Sequence, residues 1–174
     1  MSSTKKLAIC ATLAATGVAL LSLGAIFEVA DLAVSCIASL FVVMIYIEVV
    51  SPYTWLLWIC TSLSAALMFP GSIVWLEYLL VFGVYPLIKG CVERLRRPLW
   101  LPIKLAYINS IVWALFFVFD LVFSLDFFGT ESLPMRAAVY ILINVAFLAY
   151  DKFITVMTRL YFLKYRQMFK RFFK

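Results

Sequence analysis

Histidine is absent from this 174-residue chain, and charged residues make up only 14% of it. Without imidazole, the chain lacks the side chain that most often performs acid–base catalysis near neutral pH. Soluble domains carry about 25% charged residues, so the polar surface here is too small to cover a water-soluble globule. With 66% hydrophobic residues and a mean hydropathy of +1.07, the sequence predicts an integral membrane protein.

Motifs of catalysis and metal binding are also absent. The sequence has no HExxH zinc motif, no GxSxG nucleophile turn and no phosphate-binding glycine loop. The four cysteines have no CxxC spacing, which favours small packing residues over a metal site. We therefore expect no enzyme activity, no cofactor and no metal. Energy for any transport would have to come from an ion gradient or another subunit.

Basic residues give the chain a net charge of +6, but their placement does not indicate nucleic-acid binding. Almost all of them flank long apolar segments, and lysine and arginine in that position stay on the cytoplasmic side during membrane insertion. The densest cluster lies in a predicted loop at residues 89–104, which we therefore expect inside the cell. This cluster consists of Lys89, Arg94, Arg96, Arg97 and Lys104.

The apolar segments predict an all-α, polytopic membrane protein. A membrane-spanning helix needs roughly 20 mostly apolar residues, which leaves room for a compact bundle of six helices in one domain, residues 1–174. With the basic loop inside, both termini are cytoplasmic, and the predicted location is a bacterial plasma membrane. The predicted spans are 7–27, 32–50, 53–69, 72–88, 103–125 and 135–157, followed by a basic cytoplasmic tail at 158–174.

Polar side chains near the outer ends of the predicted spans form a candidate ligand site. An ionised group at mid-bilayer costs on the order of 3 kcal/mol, so each needs a partner, a cavity or a proton. Glu77, Asp120 and Asn144 share this depth, with Trp75 and Tyr78 beside Glu77. No basic residue lies at the predicted depth of the two acids, and Glu28 and Asp31 add negative charge at the same mouth. We therefore expect an outward-facing pocket for a small cationic or amine-bearing solute. An equally open interpretation is that these groups only hold helices together.

A second set of polar residues lies nearer the cytoplasm and favours a structural role. The last two spans run in opposite directions, which places Asn109 level with Asp151 and Asp120 roughly level with Asn144. We therefore predict a polar seam between these two helices. In this seam Asp151 would be satisfied by Asn109 or by a basic group near the interface.

Small residues line one face of the first predicted span. Ala8, Ala11, Ala15 and Ala19 recur at spacings of three and four, and such a stripe lets another helix approach closely within lipid. The helix that docks there is either a neighbouring span of this chain or part of another protein.

In layout and in this alanine pattern the chain resembles the substrate-binding S component of energy-coupling factor (ECF) transporters. The resemblance implies capture of a small solute from outside, and docking of the alanine face on a transmembrane coupling subunit that works with an ATPase pair. The outer loops carry no vitamin-specific signature, so no ligand is implied. The segments FGVYPLIKGCVERL and NVAFLAYDKFITVMTRLY also resemble a group of small uncharacterised membrane proteins of Gram-positive anaerobes.

The size and layout are similar to those of a second family as well, the rod-shape-determining inner-membrane protein D family. That resemblance implies a different class of function, a membrane scaffold for cell-wall synthesis that binds no solute. A solute-binding subunit is our main interpretation and a scaffold or assembly factor is the alternative. Membrane lipid is an expected partner in both.

Overall fold

The computed structural model describes residues 3–27, 30–49, 52–123 and 133–166, with side chains given except at 116–123, 133 and 136. All regular secondary structure in these ranges is helical, with no strand. The predicted all-α class is therefore confirmed for the described residues. The outer loop after residue 123 and the end of the predicted basic tail lie outside them.

Seven α-helices follow one another along the described ranges. A π-helical segment, Tyr78–Phe82, joins α4 to α5, a 3-10 turn at Arg97–Leu99 precedes α6, and a second π-helical segment, Tyr161–Tyr165, extends α7. The α-helices are α1 Ser3–Phe27, α2 Asp31–Glu48, α3 Tyr53–Met68, α4 Val74–Glu77, α5 Tyr85–Val92, α6 Trp100–Phe123 and α7 Leu133–Leu160.

Several of these helices have the length and composition of membrane spans, so the chain is a multi-pass membrane protein. The predicted span at 53–69 corresponds to α3, which is apolar but only 16 residues long. At 1.5 Å per residue this helix covers about 24 Å, somewhat less than a hydrocarbon core of about 30 Å. Within the part of the chain that the structure describes, five helical segments are long and apolar enough to cross a membrane: Ser3–Phe27, Asp31–Glu48, Val74–Val92, Arg97–Leu115 and Ala137–Tyr165.

The chain divides into two compact units, Met1–Gly90 with Ile154–Lys174, and Cys91–Phe153. In the first unit α1, α2 and α3 pack against one another. Its core includes the fully buried side chains of Leu21, Ile45 and Leu57. The single-domain organisation of residues 1–174 stays a prediction.

Glycine lets α1 approach its neighbours closely. A Cβ atom added at Gly17 would lie 3.1 Å from Cγ2 of Thr61 on α3. One added at Gly24 would lie 3.3 Å from Cα of Asp31 at the start of α2. The face of α1 that packs within this unit is therefore the glycine face, and it also carries the buried side chain of Leu21.

The π-helical segment between α4 and α5 is held by α3. The indole N–H of Trp58 donates a 3.1 Å hydrogen bond to the carbonyl oxygen of Leu79, and the N–H of Gly83 closes the segment on the oxygen of Tyr78 at 2.7 Å. A Cβ at Gly83 would lie 2.6 Å from Cδ1 of Trp58. Only glycine therefore fits there, and the wide turn directly follows Glu77 in the sequence.

Candidate functional site

A cleft of about 590 Å³ opens in the first unit, where α1 ends and where α2 and α4 begin. Gly24 and Ala25 of α1 form one wall, and the 69–74 segment forms another. The turn in that segment is closed by a 3.1 Å hydrogen bond from the N–H of Ser72 to the oxygen of Phe69. The cleft therefore lies at the end of the unit that the predicted topology places outside the cell.

Asp31 supplies charge to this cleft. It is the first residue of α2, and among the wall residues described it is the charged one. One carboxylate oxygen, Oδ1, accepts a 2.7 Å hydrogen bond from the N–H of Leu32. Apart from the hydroxyl group of Ser72, the remaining wall residues described are apolar, so the carboxylate gives the cleft a negative character.

Glu77 adds a second carboxylate in the same unit. It is the last residue of α4, one turn beyond Val74, which lines the cleft. Its Oε2 atom is buried and has no hydrogen-bond partner among the described residues, and the negative charge of Asp31 acts on it. A buried polar atom without a partner costs free energy. A cation bound near Glu77 would satisfy that oxygen and offset the repulsion from Asp31.

The two aromatic residues predicted beside Glu77 have different surroundings. Trp75 donates from its indole N–H to the oxygen of Pro70 at 3.4 Å, which directs the ring toward the turn that borders the cleft. Tyr78 is only 1% exposed and belongs to the core, where its hydroxyl group hydrogen-bonds with Thr61. Tyr78 is not among the residues that line the cleft, and its place in a ligand site stays a prediction. Successive residues of a helix point in directions about 100° apart, so a neighbour of Glu77 need not share its face.

Asn144 and Asp120 belong to the second unit. The Nδ2 atom of Asn144 donates to Oδ1 of Asn109 at 3.1 Å and to the oxygen of Tyr140 at 2.9 Å. Asn144 thus takes part in an amide pair between α7 and α6. Asp120 lies on α6, but its side chain is outside the described residues, and its place in a ligand site stays a prediction.

The polar seam between α6 and α7 is present, but its pairing differs from the expected contact of Asn109 with Asp151. Asp151 accepts a 2.9 Å hydrogen bond from Nζ of Lys104, while Asn109 pairs with Asn144. Both contacts fit a single antiparallel register, because Lys104 precedes Asn109 on α6 as Asn144 precedes Asp151 on α7. Two partners were expected for Asp151, either Asn109 or a basic group. The structure shows a basic group, Lys104, at Asp151.

The alanine face of α1 is open within the described residues. Ala8, Ala11, Ala15 and Ala19 are all exposed, and the last three line an apolar groove of about 740 Å³ that also includes Leu57 of α3. The groove extends from Leu7 to Ser22 along α1, and along α3 it includes Leu56, Cys60, Ser64 and Met68. Which of the two interpretations of this stripe applies stays a prediction.

The sequence predicted Asp31 as part of the negative charge at the outer mouth, and in the structure Asp31 lies in the cleft wall. The sequence did not assign Lys104 to a specific contact. Lys104 was grouped with the basic loop, although its place near the start of α6 puts it level with Asp151 near the end of the antiparallel α7. That shared level was therefore the available signal for Lys104.

Comparisons of the chain with protein-family models, with curated proteins and with solved structures found no match.

Two features of the first unit carry the functional interpretation. One is the acidic cleft near Asp31 and Glu77, and the other is the open alanine groove along α1.

Proposed function

We propose that this chain is a membrane-embedded subunit that captures a small cationic solute from outside the cell. In this proposal it resembles the S component of an ECF transporter and depends on partner subunits for energy. The chain crosses a bacterial plasma membrane six times, α3 included, and both termini are cytoplasmic. This topology places the C-terminal ends of α1 and α3, and with them the cleft, at the outer surface.

The buried Oε2 atom of Glu77 carries the proposal. It has no hydrogen-bond partner among the described residues, and Asp31 adds a like charge in the wall of the adjoining cleft. A primary ammonium group has three N–H donors and one positive charge. It would donate a hydrogen bond to Oε2 of Glu77 and would offset the repulsion between the two carboxylates. The apolar wall near Ile73 and Val74 suits the hydrocarbon part of the same solute.

The groove along α1 supports the second half of the proposal, the dependence on a partner. Helices associate in lipid by close packing of small residues, because lipid tails remove the hydrophobic drive between them. Ala11, Ala15 and Ala19 present such a surface without cover from the described residues. A helix of a transmembrane coupling subunit, itself attached to an ATPase pair, is the partner we propose for this face.

A scaffold or assembly factor without a solute is the second candidate. The observation that favours it is the amide pair between Asn144 and Asn109. Asn144 was expected in the ligand site, yet in the structure it joins two helices. A polar seam that only holds helices together is what this alternative requires.

A ligand screen on the purified full-length chain separates the two candidates. Primary alkylamines such as butylamine are compared with the neutral alcohols of the same length, and the melting temperature is measured. A ligand that binds only the folded state stabilises it by about 2.7 kcal/mol at a hundredfold excess over Kd. Stabilisation by amines and not by alcohols supports solute capture, whereas no shift with any compound, together with no co-purifying ATPase pair, supports the scaffold.

A further inference from the structure

The connection between α5 and α6 is an ordered loop. Backbone N–H groups of Leu95 and Leu99 donate 3.0 Å hydrogen bonds to the oxygens of Val92 and Arg96, respectively. The indole N–H of Trp100 donates to the oxygen of Leu95 at 3.0 Å. These contacts close two successive turns and fix the loop against the start of α6.

A buried lysine fixes the two ends of this loop to each other. Nζ of Lys104, on α6, donates to Oε1 of Glu93, directly after α5, at 3.2 Å, and also lies 2.9 Å from Asp151 on α7. The Lys104 side chain is only 7% exposed, while that of Glu93 is 36% exposed. The two ends of the loop are therefore joined at a buried lysine inside its own compact unit, and residues 94–99 between them form its exposed tip.

The exposed tip mixes guanidinium groups with large apolar side chains. Arg94, Arg96 and Arg97 are exposed, and among the described residues the guanidinium groups of Arg96 and Arg97 have no hydrogen-bond or ion-pair partner. Leu95 and Leu99, interspersed with these arginines, are 50% and 46% exposed. A membrane topology signal needs only the positive charges, so the ordered backbone and the exposed leucines call for another explanation.

We propose that the loop at residues 93–101 is a docking surface for the anionic phospholipid headgroups of the cytoplasmic leaflet. Arginine presents a rigid, planar fork that matches phosphate oxygens in pairs. The exposed leucines contact the acyl boundary just below, as in other basic amphipathic segments at membrane surfaces. An acidic protein segment would neutralise the arginines but would leave Leu95 and Leu99 in water, so the lipid surface fits both kinds of side chain.

The loop differs from an ordinary basic tail because its geometry is set before the lipid binds. Preorganised groups lose less conformational freedom on binding, and here the hydrogen-bonded backbone from which the arginine side chains project is ordered before a phospholipid binds. This inference does not depend on the proposed solute site, which lies in the other compact unit. It applies equally whether the chain is a transporter subunit or a scaffold.

The test measures phospholipid binding to the full-length protein in detergent micelles by native mass spectrometry. Phosphatidylglycerol is titrated against the wild type, an Arg96→Gln/Arg97→Gln variant and a Lys5→Gln/Lys6→Gln variant, with phosphatidylcholine as the neutral lipid. Each basic residue near an anionic surface contributes about 1 kcal/mol, so loss of both arginines is expected to weaken phosphatidylglycerol binding on the order of thirtyfold. The lysine variant loses the same charge at the start of α1 and is expected to retain most of the binding.

Two further variants separate charge from shape. Arg96→Lys/Arg97→Lys keeps the charge but not the planar fork, and it is expected to bind more weakly than the wild type and more tightly than the glutamine variant. Leu95→Ser/Leu99→Ser keeps all charges and is expected to weaken binding roughly tenfold through lost apolar contact. Unchanged melting temperatures confirm that these exposed substitutions leave the fold intact.

Three results would overturn the proposal. The first is an equal loss of phosphatidylglycerol binding in the arginine and lysine variants, which would mean that net charge alone acts. The second is full competition by inorganic phosphate at constant ionic strength, which would make the loop a site for soluble anions. The third is tight binding of polyglutamate that depends on Arg96 and Arg97 without preference for phosphatidylglycerol over phosphatidylcholine, which would point to an acidic protein partner.

Discussion

Lys104 and Asp151 form a 2.9 Å ion pair between α6 and α7, with side chains 7% and 13% exposed. Glu93 gives the same ammonium group a second carboxylate at 3.2 Å. A buried lysine is stable only where its charge is matched, because taking an unpaired ion out of water costs several kcal/mol. This pair therefore sets the register of the two helices as well as the base of the basic loop.

We expect Asp151→Asn to lower the free energy of unfolding by roughly 1–3 kcal/mol, because among the described residues it leaves the buried Lys104 with Glu93 as its carboxylate partner. Glu93→Gln should lower the free energy of unfolding by less, since the Glu93 side chain is 36% exposed. The Lys104→Met/Asp151→Leu double variant should recover part of the loss. Chemical unfolding of the micellar protein measures all three, and equal stability of wild type and Asp151→Asn would contradict the role assigned to this pair.

Gly83 is a position where a single methyl group should be costly. Its added Cβ would lie 2.6 Å from Trp58 and 2.8 Å from the backbone oxygen of Tyr78, so we expect Gly83→Ala to destabilise the protein by about 1–3 kcal/mol. Gly71→Ala is the matched control, because nothing lies within 4 Å of its added Cβ. Thermal melting compares the two variants. Similar melting temperatures for both would show that the contact between α3 and the π-helical segment is not tight.

Filling the alanine groove should affect partner binding and not folding. Ala15 is exposed and lines the groove, so Ala15→Leu is expected to keep the melting temperature within a few degrees while reducing co-purification of a membrane partner at least tenfold. Thr16→Leu adds similar bulk at an exposed position of α1 outside the groove and should leave co-purification unchanged. Loss of the partner in both variants, or in neither, would count against docking on this face.

Neutralising Glu77 should affect solute binding and stability in opposite directions. Glu77→Gln removes a charge whose Oε2 atom is buried without a partner, so the variant without ligand is expected to be as stable as the wild type or more so. Amine affinity should fall about tenfold or more, because a charge-assisted hydrogen bond becomes a neutral one. Glu93→Gln, in the other compact unit, controls for loss of a carboxylate. Unchanged amine affinity in Glu77→Gln would remove this residue from the site.

The sequence was sufficient to predict the helices but not the contacts between them. Hydropathy and proline or glycine positions placed α2 within two residues of its observed ends, 31–48 against a predicted 32–50. A helical period of 3.6 residues defines which residues share a face. It does not define the offset between two antiparallel helices, and for that reason Asn109 was expected opposite Asp151 and is found with Asn144.

The π-helical segment and the burial of Tyr78 show a second limit of prediction from the sequence. A π turn inserts one residue into a helix without any sequence signature of its own, and it changes the direction of the side chains that follow the segment. Tyr78 precedes that change, and it lies in the core because its side chain points about 100° away from that of Glu77. The acids themselves were easier to find, because a charge within an apolar span stands out in the sequence.

Thiol labelling of the cleft tests the central claim, that an outward-facing acidic cleft takes a cation. Gly71 lies in the cleft wall with open space around its added Cβ, and Cys91 is exposed at the end of α5. Gly71→Cys is examined in a chain whose native cysteines are replaced by alanine, beside a chain that keeps Cys91 alone. A membrane-impermeant maleimide should label the Gly71→Cys variant in intact cells, more slowly when butylamine is present, and should label Cys91 only after permeabilisation. Labelling of Cys91 in intact cells, with the Gly71→Cys variant protected until permeabilisation, would contradict the account.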